Sequence, residues 1–94
     1  SGYSIAGVAA VIGARDGTRW HFCSVAITGV GEHPYRAPAV EAAVRDGASI
    51  ADAASHATDG VMVASDIHAD REYRAHVATV QVRRALEAAI ARLG

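Results

Sequence analysis

The segment Asp66-Ile67-His68-Ala69-Asp70 alternates acidic residues around a histidine, which could form a metal site or an acid–base pair. Metal binding needs three or four side chains that converge at correct distances, so His56 or His76 would have to join the segment. No CxxC or HExxH spacing accompanies it. The favoured interpretation is structural: the carboxylate of Asp66 or Asp70 accepts backbone N–H groups where the last helix begins. We predict no metal site.

Two further motifs could carry chemistry, and neither is complete. His21 and Cys23 lie two residues apart, so on a strand they would share a face, but no orienting acid or oxyanion hole accompanies them. Gly29 and Gly31 form a GxG fragment without the third glycine of a dinucleotide-binding loop. Local chemistry therefore predicts no catalytic residue.

Composition limits the classes of protein that the chain can belong to. It has 94 residues and a formal net charge of −1, which fits one domain over residues 1–94 with a modest core. No basic face or aromatic platform suggests nucleic acid, and no apolar stretch has membrane-spanning length. The single cysteine, Cys23, excludes an intramolecular disulfide and fits a reducing compartment. These features predict a cytoplasmic domain that binds neither nucleic acid nor membranes.

The first third of the sequence predicts an antiparallel hairpin. Two apolar runs, residues 4–12 and 18–30, flank the turn signal Asp16-Gly17, which places the turn over residues 14–17. Neither run alternates cleanly between apolar and polar residues, so both faces of the hairpin are expected to be covered. Helices of this chain should cover one face and leave an apolar patch on the other, formed by Trp20 and Phe22 or by Val25 and Ile27.

The rest of the sequence predicts three helices. Pro38 suits the first turn of a helix that ends at Gly47, and Ser49 can cap a second helix that runs to about residues 59–60. The last and longest helix is predicted over about residues 70–92. The predicted fold is α+β, with a small antiparallel sheet of two or three strands packed against the three helices. The residues expected on the inner face of the last helix are Ala75, Ala78, Val82, Leu86, Ala89, Ile90 and Leu93.

The order of motifs resembles the C-terminal domain of the FAD-binding medium subunit of molybdenum hydroxylases, the carbon monoxide dehydrogenase, xanthine dehydrogenase and aldehyde oxidoreductase family. The resemblance covers essentially the whole chain. Asp70 stands where the family usually has serine, and Ala75 stands where a second arginine is common. The motifs that carry it are Gly29-Val30-Gly31, Pro34, Arg36-Ala37, Val40-Glu41, Gly47, Asp66-Ile67-His68-Ala69, Glu72-Tyr73-Arg74, His76 and Arg83-Arg84-Ala85-Leu86.

The resemblance implies a place in an oxidoreductase in which electrons pass from molybdenum through iron–sulfur clusters to FAD. The flavin-binding portion lies N-terminal to this domain in the family, so the chain is expected to be part of a longer protein or a separately encoded piece. FAD is expected in the complete subunit and not on this chain alone. The resemblance places Tyr3 next to the cofactor, whereas its residue type favours a tyrosine at a strand start with its ring in the core and its hydroxyl in water. Tyr73 is expected to bury its ring as an anchor, and Arg74 to bond a carboxylate or a carbonyl.

The leading hypothesis is thus a non-catalytic structural and docking domain. Its expected partners are the flavin-binding portion and the molybdenum and iron–sulfur subunits, with self-association when the chain is isolated. The alternative is a free-standing interaction module that keeps the fold without the flavin. An independent small hydrolase or metalloenzyme is disfavoured because no set of catalytic residues supports it. The chain carries no information on the substrate or the electron acceptor of the parent enzyme.

Overall fold

Six elements follow one another in the computed structural model, which describes residues 7–16, 19–28, 33–61 and 68–93. Three strands come first and three helices follow, as predicted, with the last helix the longest. The strands are β1 (Val8–Asp16), β2 (Arg19–Ile27) and β3 (Tyr35–Arg36); the helices are α1 (Pro38–Arg45), α2 (Ile50–Ala54) and α3 (His68–Arg92).

The sheet is antiparallel in the order β1-β2-β3. The β1–β2 pairing runs from Val8 opposite Ile27 to Asp16 opposite Arg19. Ala14 therefore belongs to the strand, so the predicted turn over residues 14–17 begins too early, and residues 17 and 18 lie outside the described part. A turn signal marks where a hairpin reverses but not how far its ladder extends toward the tip.

Helix α1 begins and ends where its boundary residues predict. Pro38 occupies the first turn, where its missing N–H costs nothing. At the other end Gly47 takes a φ of +89°, and the amide N–H groups of Gly47 and Ala48 bond the carbonyls of Val44 (3.1 Å) and Ala43 (3.0 Å). This pair of bonds is a Schellman cap, which needs a residue that tolerates positive φ.

Helix α2 is shorter than predicted. Its start is confirmed, because the Ser49 hydroxyl accepts the Asp52 N–H at 3.1 Å. The helix ends at Ala54, however, and residues 55–60 continue as tight turns with bonds such as Asp59 N–H to His56 C=O. The Ser55 hydroxyl bonds the carbonyl of Asp52, an alternative to continued helix that serine side chains offer.

Helix α3 has 25 residues and begins at His68, two residues before the predicted start. Ala78, Val82, Leu86 and Ala89 are buried along its inner face, as expected. Leu93 is 54 % exposed, contrary to its predicted inward position, because it follows the last helical residue, Arg92.

One core lies between the sheet and the helices. Helix α1 packs on β2, α3 packs mainly on β1, and α2 lies against both helices. None of the helices in the described ranges is long and apolar enough to cross a membrane. The buried residues are Ala10, Ile12, Cys23, Val25, Ile27, Ala37, Val40, Val44, Ala53, Ala54, Ala57, Ala78, Val82, Leu86 and Ala89.

Candidate docking face and its buried support

The sheet has an inner face toward the helices and an outer face that stays exposed. Ile12, Cys23 and Val25 point inward and are buried. On the opposite row, Val11 is 58 % and Phe22 50 % exposed, and both are large apolar residues. The exposed row is therefore the one that contains Phe22, and the alternative with Val25 and Ile27 outward is wrong. Apolar character alone did not separate the rows, because both rows are apolar.

The outer face carries little polarity over the two strands. Ser24 contributes one hydroxyl at the position opposite Val11, and the register places one ionisable residue, Arg15, at the hairpin end of the same row, opposite Trp20. Exposed contiguous apolar surface on a folded chain commonly marks an interaction site. Trp20 belongs to the same row by register but packs against the core, so the expectation that it forms the exposed patch with Phe22 is wrong for Trp20. We define the outer face by the other outward residues whose burial the structure describes: Gly7, Ala9, Val11, Gly13, Phe22, Ser24, Ala26 and Thr28.

A buried carboxylate supports the sheet from the other side. Glu41 is 5 % exposed, and its Oε2 accepts the backbone N–H of Val25 at 2.8 Å. Arg36 holds the same carboxylate with two bonds of 3.0 Å, from Nε to Oε2 and from Nη2 to Oε1. This is the paired geometry in which guanidinium and carboxylate bind most specifically. The guanidinium of Arg36 therefore compensates the charge of the Glu41 carboxylate and also donates hydrogen bonds to both of its oxygens.

The Glu41 carboxylate stands in for a missing strand neighbour. Strand β3 ends at Arg36, and Ala37 still donates its N–H to the Val25 carbonyl at 3.0 Å. The N–H of Val25 would need a further strand residue, and the side chain of Glu41 supplies the acceptor instead. A buried backbone N–H without an acceptor is costly, so this bond fixes how α1 sits on β2.

Sequence reasoning did not assign this network a role. Glu41 entered only as one letter in a family motif, although a charged residue beside Val40 and Val44 on the inner face of α1 is itself a signal. A carboxylate on an apolar helix face needs a partner, and Arg36 lies five residues earlier in the sequence. That pairing was available to a reader of the sequence.

Cys23 and Tyr35 lie close to this support and behave as structural residues. Burial, with a smaller contribution from Glu41, raises the pKa of the Cys23 thiol to about 11, while Arg45 and Arg36 partly oppose the shift. The Tyr35 hydroxyl donates to the carbonyl of Ala57 at 3.0 Å, and burial raises its pKa. A buried, protonated thiol is a poor nucleophile at neutral pH.

Three residues predicted at or near a site, or their side chains, fall outside the described part of the chain. Tyr3 and Asp66 lie outside the described residues. Asp70 is the third residue of α3, so it lies within the helix and not before it, and its side chain is likewise outside the description. Capping of α3 by Asp66 or Asp70 stays a prediction.

The expected ring anchor on α3 is wrong. Tyr73 is 60 % exposed. It precedes the buried Ala78 by five residues, which at 3.6 residues per turn places it far around the helix from the core. Arg74 beside it is half-buried, and its expected bond to a carboxylate or carbonyl stays a prediction.

The described residues offer no metal-binding group, and the start of α1 does not fit the pyrophosphate of a dinucleotide. No group of three or more His, Cys, Asp or Glu in ranges 7–16, 19–28, 33–61 and 68–93 could hold a metal. A pyrophosphate needs clustered free N–H groups. At the start of α1, Pro38 has none, Ala37 gives its own to Val25, and the Glu41 carboxylate lies in the first turn.

Comparison with known proteins identifies relatives of the whole domain. The family model described as "CO dehydrogenase flavoprotein C-terminal domain" matches residues 1–89. A solved structure of carbon monoxide dehydrogenase from Hydrogenophaga pseudoflava, which lacks the Mo-pyranopterin moiety of the molybdenum cofactor, matches with a TM-score of 0.78 and 34 % identity. The match covers 94 % of this chain and 32 % of that chain, so this sequence spans about a third of the protein it resembles. No curated protein matches.

Proposed function

The chain belongs to the family of CO dehydrogenase flavoprotein C-terminal domains, and we propose that it is the non-catalytic docking domain of an FAD-binding medium subunit. The parent enzyme would be a molybdenum-containing hydroxylase or dehydrogenase. In that enzyme FAD accepts electrons that come from molybdenum through iron–sulfur clusters. The cytoplasmic location belongs to the same proposal and is supported by the single thiol of Cys23.

The outer face carries this proposal. Val11 and Phe22 expose large apolar groups on a sheet whose other face packs against the core. We propose that the flavin-binding portion of the same subunit covers it. FAD would be held by that portion, because the described residues offer no pyrophosphate cradle.

The size of the outer face favours a tethered partner. Two paired strands of nine residues give a face of about 30 by 10 Å, or roughly 300 Å², from strand rise and spacing. A stable complex between free proteins buries about 800 Å² on each partner, whereas interfaces between domains of one chain start at about 600 Å² in total. The matched solved chain is about three times as long as the part covered by the match, which leaves room for such a portion.

A free-standing interaction module would use the same face. The close match to one third of a longer CO dehydrogenase chain supports the subunit proposal over this alternative. Self-association of the isolated chain through the outer face also stays a prediction, since exposed apolar area promotes association.

Hydroxyl-radical labelling read by mass spectrometry tests the proposal without changing a residue. Phe22 should be labelled in the isolated chain and protected in the complete subunit. Leu93 is the internal control, because it is similarly exposed at 54 % but lies outside the outer face. Equal labelling of Phe22 in both samples would contradict docking through this face.

A further inference from the structure

Arg36 lies on the border of the outer face, at the sheet edge that β3 forms. It stands directly opposite Ala26 on β2, and residues directly opposite each other in an antiparallel pair point to the same side of the sheet. Ala26 belongs to the outer face, so Arg36 leaves its strand on that side. Four residues of strand, about 13 Å, separate Ala26 from Phe22, so one partner surface can cover both Phe22 and Arg36.

The guanidinium of Arg36 is only partly used by contacts within the chain. Its Nε and Nη2 each donate one hydrogen bond of 3.0 Å to the Glu41 carboxylate. A guanidinium has five N–H groups, and no acceptor among the described residues takes the other three. The side chain is 62 % exposed. These N–H groups can therefore bind a partner that covers the outer face.

The charges around Arg36 favour an acidic partner group over a neutral one. Arg45 follows Glu41 by one turn of α1, is exposed, and forms no ion pair within the described ranges. Arg45 and Arg36 both oppose the rise in the pKa of Cys23, while Glu41 adds to it, so two cations share one carboxylate in this region. By register, the outward rows of the three described strands contain Arg15 and Arg36 but no Asp or Glu. A partner carboxylate would complement this positive charge.

We propose that Arg36 is the charged anchor of the docking face and binds an Asp or Glu side chain of the flavin-binding portion. This inference rests on the proposed docking function and adds the chemistry of the partner surface. The guanidinium then lies between two carboxylates, that of Glu41 and that of the partner. Arginine suits this position because its planar fork presents donors along more than one edge, and arginine is enriched among the residues that dominate interfaces.

Carboxylate labelling with a carbodiimide and glycine ethyl ester, read by mass spectrometry on the complete subunit, tests the inference. In Arg36→Gln, one Asp or Glu of the flavin-binding portion that is protected in the unmodified subunit should become labelled as strongly as the exposed Asp52. Arg83→Gln is the matched control, because it removes an exposed guanidinium of α3 that bonds Glu87 at 3.3 Å. This control should raise the labelling of Glu87 alone.

A second variant keeps the test decisive if Arg36→Gln does not fold. Arg36→Lys retains a cation beside Glu41 but has no planar fork to hold two carboxylates. It should release the same carboxylate of the flavin-binding portion, and circular dichroism shows whether each variant is folded.

The remaining outcomes separate the anchor from the docking face. Unchanged labelling of every carboxylate of the flavin-binding portion in a folded Arg36 variant overturns the anchor, and the docking proposal stands as long as Phe22 is protected in the unmodified subunit. Equal release by Arg83→Gln also overturns the anchor, because Arg36 would then have no special position. Radical labelling of Phe22 in the unmodified subunit at the level of the isolated chain overturns both proposals.

Discussion

Glu41 is the residue whose contacts join the most elements. Its carboxylate binds the backbone of β2 and the guanidinium of Arg36 on β3 while its own backbone lies in α1. Arg36 remains largely in water, with 62 % of its side chain exposed, so the burial falls on the carboxylate. The bond to Val25 is the part of this arrangement that water cannot easily replace.

Glu41→Ala should lower the free energy of unfolding by about 1–3 kcal/mol, the usual cost of leaving a buried donor without an acceptor. Urea unfolding measures the loss. Arg83→Ala is the control, because it removes an exposed ion pair with Glu87, 3.3 Å long, and such pairs contribute only about 0.3–0.5 kcal/mol. A Glu41→Ala loss no larger than that of Arg83→Ala would show that the network adds nothing.

Cys23 predicts a pH dependence of stability. Its pKa is raised from 9.0 to about 11 by burial, so between these values the unfolded chain releases the proton and the folded chain keeps it. Stability should therefore be fully present below pH 9 and fall as pH rises toward 11. Urea unfolding across this range measures the slope, and Cys23→Ala should reduce it. An equal slope in Cys23→Ala would assign the dependence to other groups, such as Tyr35, whose pKa is also raised.

At the scale of elements, replacing either of two glycines by alanine is expected to change the stability in opposite directions. Gly47 closes α1 at a φ of +89°, where a side chain is strained, so Gly47→Ala should cost about 1–2 kcal/mol. Gly13 lies in β1 with open space around it, so Gly13→Ala should be neutral or stabilise the chain by about 0.4–1 kcal/mol. Thermal unfolding of both variants checks the contrast. Equal losses would contradict the account of α1 termination.

The elements also show what sequence can predict here. Pro38, Gly47 and Ser49 act through their own backbone neighbourhood, and their roles were readable from residue type. The length of α2 could not be predicted in this way, because an alanine-rich stretch favours helix along its whole length and the helix ends where tertiary contacts no longer support it. The buried ring expected for Tyr73 rested on the family resemblance, and it is wrong because Tyr73 lies far around α3 from the buried Ala78.

For the candidate site, sequence predicted an uncovered apolar face but not which row would form it. Both rows of the hairpin are largely apolar, so the choice depended on where the helices pack, and α1 and α3 pack on the row that contains Ile12, Cys23 and Val25.

At the scale of the whole molecule, the fold has two layers, a sheet and a layer of helices, and the sheet face that points away from the helices is uncovered. The helices pack on the inner sheet face, while Val11 and Phe22 leave exposed apolar surface on the outer face. No group of three or more His, Cys, Asp or Glu in the described part of the chain could hold a metal ion. The central claim, proposed from the exposed outer face, is that this domain docks to the flavin-binding portion of its subunit.

Calorimetric titration of the chain into the flavin-loaded remainder of its subunit tests that claim most directly. Because the outer face is small and the partner is normally tethered, the account predicts weak but saturable one-to-one binding that is lost in Phe22→Ser and kept in Leu93→Ser, which changes a similarly exposed residue outside the outer face. Circular dichroism of both variants confirms that they are folded. Absence of binding, or binding that Phe22→Ser leaves unchanged, would contradict the account.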